Sequence, residues 1–241
     1  MRSRVRRFLI SFESAFWEKY RSSINPSIFQ FDYLHNLSLF KEIQRSFVFI
    51  RKKTHKSSFE ILDIGCGRKP YFELFKPYMK RYLGVDVDPK VADLVASAEN
   101  LPLKNDSFDL VVCFQTLEHC RKPEKVIAEI YRVLQPGGFA ILTTHGSWMY
   151  HPSPHDYYRW TNEGLSELFK NYTFVKVTAN LKAWASIIQI INLELYGMAS
   201  RHLFWKLPLY IIILVLNVLG QALSPFGPDH FTVNYVVLAK K

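Results

Sequence analysis

The chain has 241 residues, 22% of them charged and 49% apolar. That suits one sizeable domain or two small ones and excludes a disordered tail, a collagen-like repeat and a multi-span membrane protein. The net charge is +10, and it sits at one end: residues 1–58 carry 12 basic and 4 acidic side chains, residues 59–241 carry 19 and 17. An anionic partner is implied, and it concerns the first quarter of the chain.

Residues 1–58 read as a basic segment of helices and connections. Phe8, Phe12 and Phe16 recur every four residues, with Leu9 and Trp17 beside them and four Arg just upstream. This spacing places one aromatic face on a helix with a basic lead-in. Such a helix suits the interface of an anionic membrane, or packing over the adjoining domain. The apolar stretch Phe8-Leu9-Ile10 is too short for a secretory signal, and the Arg-rich start leaves a mitochondrial presequence open. Cys66, Cys113 and Cys120 are too few and too scattered for a disulfide framework or a four-cysteine zinc site. A reducing, cytoplasmic location is expected.

From residue 59 the pattern changes. FEILDIG, YLGVDVD, FDLVVCFQT and GFAILTTH are near-continuous apolar strands, as in a parallel sheet buried on both faces. Between the last two, Val126, Ile127, Ile130, Val133 and Leu134 follow helical spacing, and Pro136-Gly137-Gly138 is expected to end that helix. TNEGLSELFK reads as a helix with Thr161 as its N-cap. FVKVTANL and FTVNYVVLAKK read as the closing strands. Alternating strand and helix predicts an open α/β sheet, with residues 59–241 as one domain.

The stretch ILDIGCGRKP, residues 61–70, ends a buried strand in Asp63-x-Gly65-x-Gly67. Glycines at this junction let backbone approach a ligand without a Cβ in the way. A second strand ends in Asp86, 21 residues after Gly65. An acid at this spacing can accept both hydroxyls of a ribose. A Walker phosphate loop is absent, and Pro70 stands where a dinucleotide fingerprint wants glycine.

These residues resemble the class I S-adenosylmethionine-dependent methyltransferases, in the branch called methyltransferase type 11. The resemblance covers about residues 59–181 and resumes at 231–241. It includes AENLPLKNDSFDLVVCFQTLEH and IYRVLQPGGFAIL. It implies a Rossmann-like seven-stranded sheet, mostly parallel with an antiparallel last strand, and S-adenosyl-L-methionine as cofactor. By the same resemblance, Asp63, Gly65, Cys66 and Gly67 wrap the methionine part. Asp86, with Val87 beside it, holds the ribose, Ser97 and Ala98 meet the adenine, and Gln115 faces the methionine moiety. Two positions depart from the pattern. Lys69 stands where a third glycine is often found, and Ser97 stands where an Asp often meets the adenine amino group, so Glu99 is an alternative contact.

Residues 145–165 follow strand five at the carboxyl edge of the sheet, where open α/β folds place ligands. With His119 they hold the expected acceptor-binding groups: His145, Tyr157, Tyr158 and Arg159. Aromatic faces suit stacking on a sugar or ring, and Arg159 could fork onto a carboxylate or phosphate. Equally, Tyr157, Tyr158 and Trp160 could be lid packing, with Arg159 paired to a protein carboxylate. His155, with Asp156 beside it, is the expected general base. Pro152 and Pro154 preclude a regular helix, so His151 and His155 lack the i, i+4 metal geometry and no metal is expected.

The stretch 181–222 is an insertion between the last two strands. It holds 28 apolar residues in 42, with Lys182, Glu194, Arg201 and Lys206 as its charges. Strand seven must rejoin the same sheet, so a single membrane crossing is excluded. Lys182, Ser186, Gln189 and Asn192 recur at helical spacing and give a polar face. Two helices lying on the domain or dipping into one leaflet are expected, with an apolar lid or a dimer interface as the other readings.

The function expected is methyl transfer to a small-molecule acceptor. A hydroxyl of a glycan or lipid-linked sugar near a membrane fits first, with peripheral contact to an anionic inner face. Methylation of an isoprenoid quinone ring is the alternative, and a non-catalytic module on the same fold the third reading. Nucleic acid is not expected: Gln-Thr-Leu-Glu-His stands where amino-group DNA methyltransferases have an Asn/Asp-Pro-Pro-Tyr run.

Overall fold

The computed structural model describes residues 24–152, 155–201 and 206–241. The aromatic helix expected over residues 8–17 lies outside them. In chain order the elements are α1 (Tyr33–Thr54), β1 (Phe59–Ile64), the single turn α2 (Phe72–Phe75), β2 (Met79–Asp86), β3 (Leu94–Val95), β4 (Phe108–Phe114), α3 (Pro123–Val133), β5 (Leu134–His145), α4 (Asn162–Leu168), β6 (Phe174–Ala179), α5 (Ala183–Arg201), α6 (Lys206–Leu223) and β7 (Asn234–Lys240).

One seven-stranded sheet runs β3-β2-β1-β4-β5-β7-β6. The first five strands pair parallel, and β7 runs antiparallel to both β5 and β6. Strand order reverses between β1 and β4, which opens a crevice at their carboxyl ends. Side chains alternate across the sheet. Leu62 and Ile64 of β1 meet Val126, Ile127, Ile130 and Val133 of α3 on one face. Phe59 and Ile61 meet Leu39, Ile43, Phe47 and Ile50 of α1 on the other. The boundary expected at residue 58 therefore marks no gap in packing, because α1 shares a core with the sheet.

Helix α3 ends at Val133, three residues earlier than Pro136-Gly137-Gly138 would have it. Leu134 is fully buried, takes extended backbone and pairs with Phe108 at the start of β5. Burial of that side chain in the sheet outweighs its place on the helical stripe. Thr161 caps α4 as expected, its Oγ1 accepting from the Gly164 N–H at 3.1 Å.

Helices α5 and α6 form the insertion, and their polar face points inward. Ser186, Gln189, Asn192 and Asn217 are fully buried. Gln189 accepts from the His35 N–H at 3.0 Å and donates to Phe31 O at 2.9 Å. Asn217 donates to Ile28 O at 2.7 Å and Gln30 O at 2.8 Å, and accepts from Asn192 at 2.8 Å. The segment entering α1 has no ladder of its own, so these amides satisfy its backbone. Gly220 lets α6 close on α1: a Cβ there would lie 2.4 Å from Leu34 Cδ1. Ile188, Leu193, Leu209 and Ile213 are buried with the amides, while Leu207 (72%), Ile211 (54%) and Val215 (59%) are left exposed.

One buried charge in β1 makes stability depend on pH. Asp63 is enclosed beneath the sheet edge, where the Tyr82 hydroxyl donates to it. Burial pushes its carboxyl up to about 7 from 3.8. The folded chain thus binds a proton that the unfolded chain has already released, and stability falls as pH rises from about 4 to about 7. Asp63→Asn removes that titration. In urea unfolding of cofactor-free protein from pH 4 to pH 8, the variant should gain on the wild type by on the order of 2–4 kcal/mol across the window. A pH-independent difference between the two would contradict the burial account.

Candidate active site

The crevice between β1 and β4 opens into a cavity of about 780 Å³ lined by Gly65, Gly67, Asp86, Ser97, Gln115 and His119, among others. Its floor is the turn after β1. Gly65 (φ +68°) and Gly67 (φ +46°) take left-handed backbone. The N–H groups of Gly65 and Cys66 both donate to Val85 O, at 2.8 and 3.1 Å. Gly67 N–H donates to Asp86 Oδ2 at 2.9 Å, so the turn is tied to the end of β2. A Cβ on Gly65 would meet Thr116 Oγ1 at 2.1 Å, while one on Gly67 would stand in open space. Lys69, at the third-glycine position, also has positive φ (+54°). Its N–H donates to Cys66 O at 2.7 Å and its ammonium pairs with Asp93.

The sequence-predicted cofactor residues divide into wall and support. Gly65, Gly67, Asp86, Val87, Ser97, Ala98 and Gln115 line the cavity. Asp63 and Cys66 do not: both are buried behind the turn. Burial pushes the Cys66 thiol up to about 12, so it stays protonated and packs as an apolar group. Glu99 also lines the cavity, though its carboxylate already accepts from the Lys122 N–H at 3.0 Å.

Gln115 holds a left-handed backbone (φ +49°) without being glycine. Such strain persists only where the surroundings fix it. Its N–H donates to Thr143 O at 3.0 Å and its side-chain amide to Asn234 Oδ1 at 2.7 Å. Oε1 is buried without a hydrogen-bond partner.

His119, His155 and Tyr157, expected on the acceptor side, also line the cavity. His119 Nδ1 donates to His155 O. A carbonyl only accepts, so that bond places the hydrogen on Nδ1 and leaves Nε2 as the acceptor of the neutral ring. Asp156 is not the partner expected for His155. Its carboxylate is buried in a fork with Arg159, whose Nη2 donates to Oδ2 at 2.7 Å, and it accepts from the His151 N–H at 2.9 Å. The Arg159 hydrogen bonds hold that carboxyl well below its usual range. Arg159 therefore meets a protein carboxylate, and Tyr158 donates to Arg121 O at 3.0 Å; neither lines the cavity.

His145 is likewise absent from the cavity wall. It is buried against Trp148, the rings stacked at 4.7 Å, with Nε2 3.5 Å from Glu118 Oε1. Burial pushes the His145 imidazole well below its ordinary value and raises the Glu118 carboxyl. Thr116 and the buried Glu118 were not among the expected site residues. Glu118 follows Leu117 in a turn with no local pattern to mark its burial, and nothing in the spacing marks Thr116 as the contact of Gly65. A second cavity, of about 670 Å³, opens at the opposite edge of the sheet beside Lys53, Lys56 and Lys240. It lies away from the carboxyl ends of the strands, where open α/β sheets bind ligands.

Residues 62–142 match the family described as "Methyltransferase domain". Over 106 residues the chain is 28% identical to an uncharacterised methyltransferase, YcgJ, of Bacillus subtilis, covering 37% of this chain and 42% of that one. Over 96 residues it is 31% identical to a probable S-adenosylmethionine-dependent methyltransferase of Mycolicibacterium smegmatis, covering 35% and 37%. The chain thus spans less than half the length of these curated relatives. The solved structure of a SAM-dependent methyltransferase from Archaeoglobus fulgidus shares the fold, with a TM-score of 0.52 at 17% identity over 95% of this chain and 100% of that one. The strand order, the glycine turn tied to Asp86 and the match over residues 62–142 give the chain a methyltransferase domain on a Rossmann-like seven-stranded sheet.

Proposed function

We propose that the chain methylates a hydroxyl of a glycan or lipid-linked sugar at a membrane surface. The chain's own groups fit the cofactor. Asp86 would take the ribose hydroxyls, and the Gly65–Gly67 backbone the methionine part. Ser97 and Ala98 would flank the adenine. Gln115 Oε1 is a buried acceptor that still lacks a donor, and an ammonium would supply one. Bound there, S-adenosylmethionine supplies a methyl group made electrophilic by its sulfonium.

The acceptor hydroxyl must be positioned and relieved of its proton. His119 is placed for the proton: it lines the cavity and its bond to His155 O sets the tautomer with Nε2 as acceptor. His155 shares the wall and is the other histidine in reach of the cavity. Tyr157 stands 45% exposed at the same wall, a face on which a sugar can stack. Arg159 and Asp156 brace the loop that carries these groups.

The observation that favours a membrane-borne acceptor is the inverted burial of α5 and α6. A soluble helix turns its amides out and its aliphatics in. These two bury their amides and leave Ile187, Ile191, Ile211, Val215 and Leu219 exposed, and α6 is long and apolar enough to cross a membrane by length and composition. Both helices pack on α1 and lead back to β7 in the sheet, so lying along one leaflet is the arrangement that suits them. The basic excess of residues 1–58 would attract the same anionic surface.

Two measurements test this reading. With methyl-labelled cofactor and a detergent extract of the source organism's membranes, label should enter the lipid-linked sugar fraction. Label in the quinone fraction instead would replace the proposed acceptor with a prenylated ring, and no transfer to any fraction would contradict the reading altogether. In vesicle flotation, binding should rise with anionic lipid and fall with salt. The exposed substitutions Ile211→Asp and Val215→Asp should weaken it at least tenfold while leaving circular dichroism unchanged. Flotation indifferent to lipid charge and to both substitutions would remove the membrane.

A further inference from the structure

Three ligand-type side chains converge just behind the cavity wall. Glu118 comes from the turn after β4, His145 from the last residue of β5, and His151 from the loop beyond. One donor atom from each lies within 4.8 Å of the other two. Glu118 Oε1 and His145 Nε2 are 3.5 Å apart. That is close to the edge of a tetrahedron with metal–ligand bonds of ~2.1 Å, which is roughly 3.4 Å.

The surroundings are those of a built site. Glu118 is fully buried; Oε2 accepts from Thr144 Oγ1 at 2.8 Å, and Oε1 has no hydrogen-bond partner. A buried carboxylate oxygen left without a donor is costly, and a cation removes that cost. Trp148 fixes the His145 ring from one face. His151 Nδ1 lies 3.2 Å from Met149 O and 3.3 Å from Asp156 Oδ2, which also accepts the His151 N–H. A carboxylate behind a histidine is the arrangement that orients metal-bound imidazoles. Arg159 is taken up by Asp156, so it makes no hydrogen bond to Glu118 Oε1.

We propose that Glu118, His145 and His151 bind a divalent transition metal of the zinc class. Two imidazoles and one carboxylate are a zinc-type ligand set with a position to spare. The part-exposed His151 marks the open side. The site adjoins the cavity, since His119, next to Glu118, meets the His151 ring edge to face at 5.1 Å. The spare position, on the side of the part-exposed His151, suits a water, which the metal would make more acidic. No regular helix carries these ligands, so the proline argument against a His151–His155 pair does not reach them.

The test reads the metal directly and does not depend on any acceptor. The full chain, stripped with chelator, is titrated with Co²⁺ and then with Zn²⁺, alongside calorimetry of S-adenosylhomocysteine on the same samples. One Co²⁺ per chain is expected, with visible bands of a low-coordinate site that Zn²⁺ abolishes. Glu118→Gln and His151→Ala should each weaken uptake at least tenfold and keep S-adenosylhomocysteine binding. His55→Ala, at the far end of α1, should change neither. If Glu118→Gln fails to fold, the part-exposed His151→Ala carries the test alone. Wild-type protein that binds S-adenosylhomocysteine but no stoichiometric Co²⁺ overturns the site, and so does uptake unaltered in His151→Ala. Loss of S-adenosylhomocysteine binding with Co²⁺ uptake intact would instead count against the methyl-transfer reading.

Discussion

The cavity exists because the end of β1 comes close to the end of β4. Gly65 lies so near Thr116 that a single methyl at its Cα would stand 2.1 Å from the hydroxyl. That approach lets the turn drop back onto β2, where Val85 and Asp86 receive three successive N–H groups. The turn in turn leaves Gly67 facing open space and sets Asp86 on the wall. Lys69 closes the turn in a left-handed conformation that suits glycine better, a strain of order 1 kcal/mol. Its ion pair with Asp93 ties the same turn to the loop beyond β2, since Asp93 also accepts the Gly84 N–H at 2.7 Å.

A second constraint acts on the far side of α1. The chain entering that helix is irregular, and its backbone groups are buried. Gln189 and Asn217 meet them, so α5 and α6 must turn their amides inward. Ile188, Leu193, Leu209 and Ile213 share that inner face, and the remaining aliphatic side chains, among them Ile187, Ile211 and Val215, face outward. The apolar surface is thus a consequence of how the N-terminal segment is satisfied, and it stands on the same molecule as a strongly basic terminus. The net charge of +10 lies almost wholly in residues 1–58, and the domain that holds the cavity is close to neutral.

Much of this was legible in the residues. Six of the seven strands are legible as apolar or alternating runs, the central ones because both faces of the sheet are covered there; β3, with two residues, is too short to leave a pattern. Gly65, Gly67 and Asp86 were legible because their spacing follows from the fold itself. The Pro136-Gly137-Gly138 stop was misleading, since burial of Leu134 in the sheet ends α3 first. The polar stripe of α5 was visible, but its direction was not: periodicity locates a face without saying what it meets. The Asp156 carboxylate follows His155 in sequence and yet serves Arg159, since adjacent residues on an extended loop point apart. Glu118, His145 and His151 come together only through the topology, which no local spacing records.

If the turn after β1 and the acid after β2 make one cofactor site, removing the Asp86 charge must weaken cofactor binding. Titration calorimetry of S-adenosylhomocysteine against the wild type and Asp86→Asn addresses it most directly. Asparagine keeps one acceptor for the turn and loses the charge, so its fold should survive while a charge-assisted bond worth about 1.5–3 kcal/mol is weakened. One site per chain, with affinity at least tenfold lower in Asp86→Asn, is the result predicted. Equal affinity in the two proteins, or no binding to the wild type, would contradict the account.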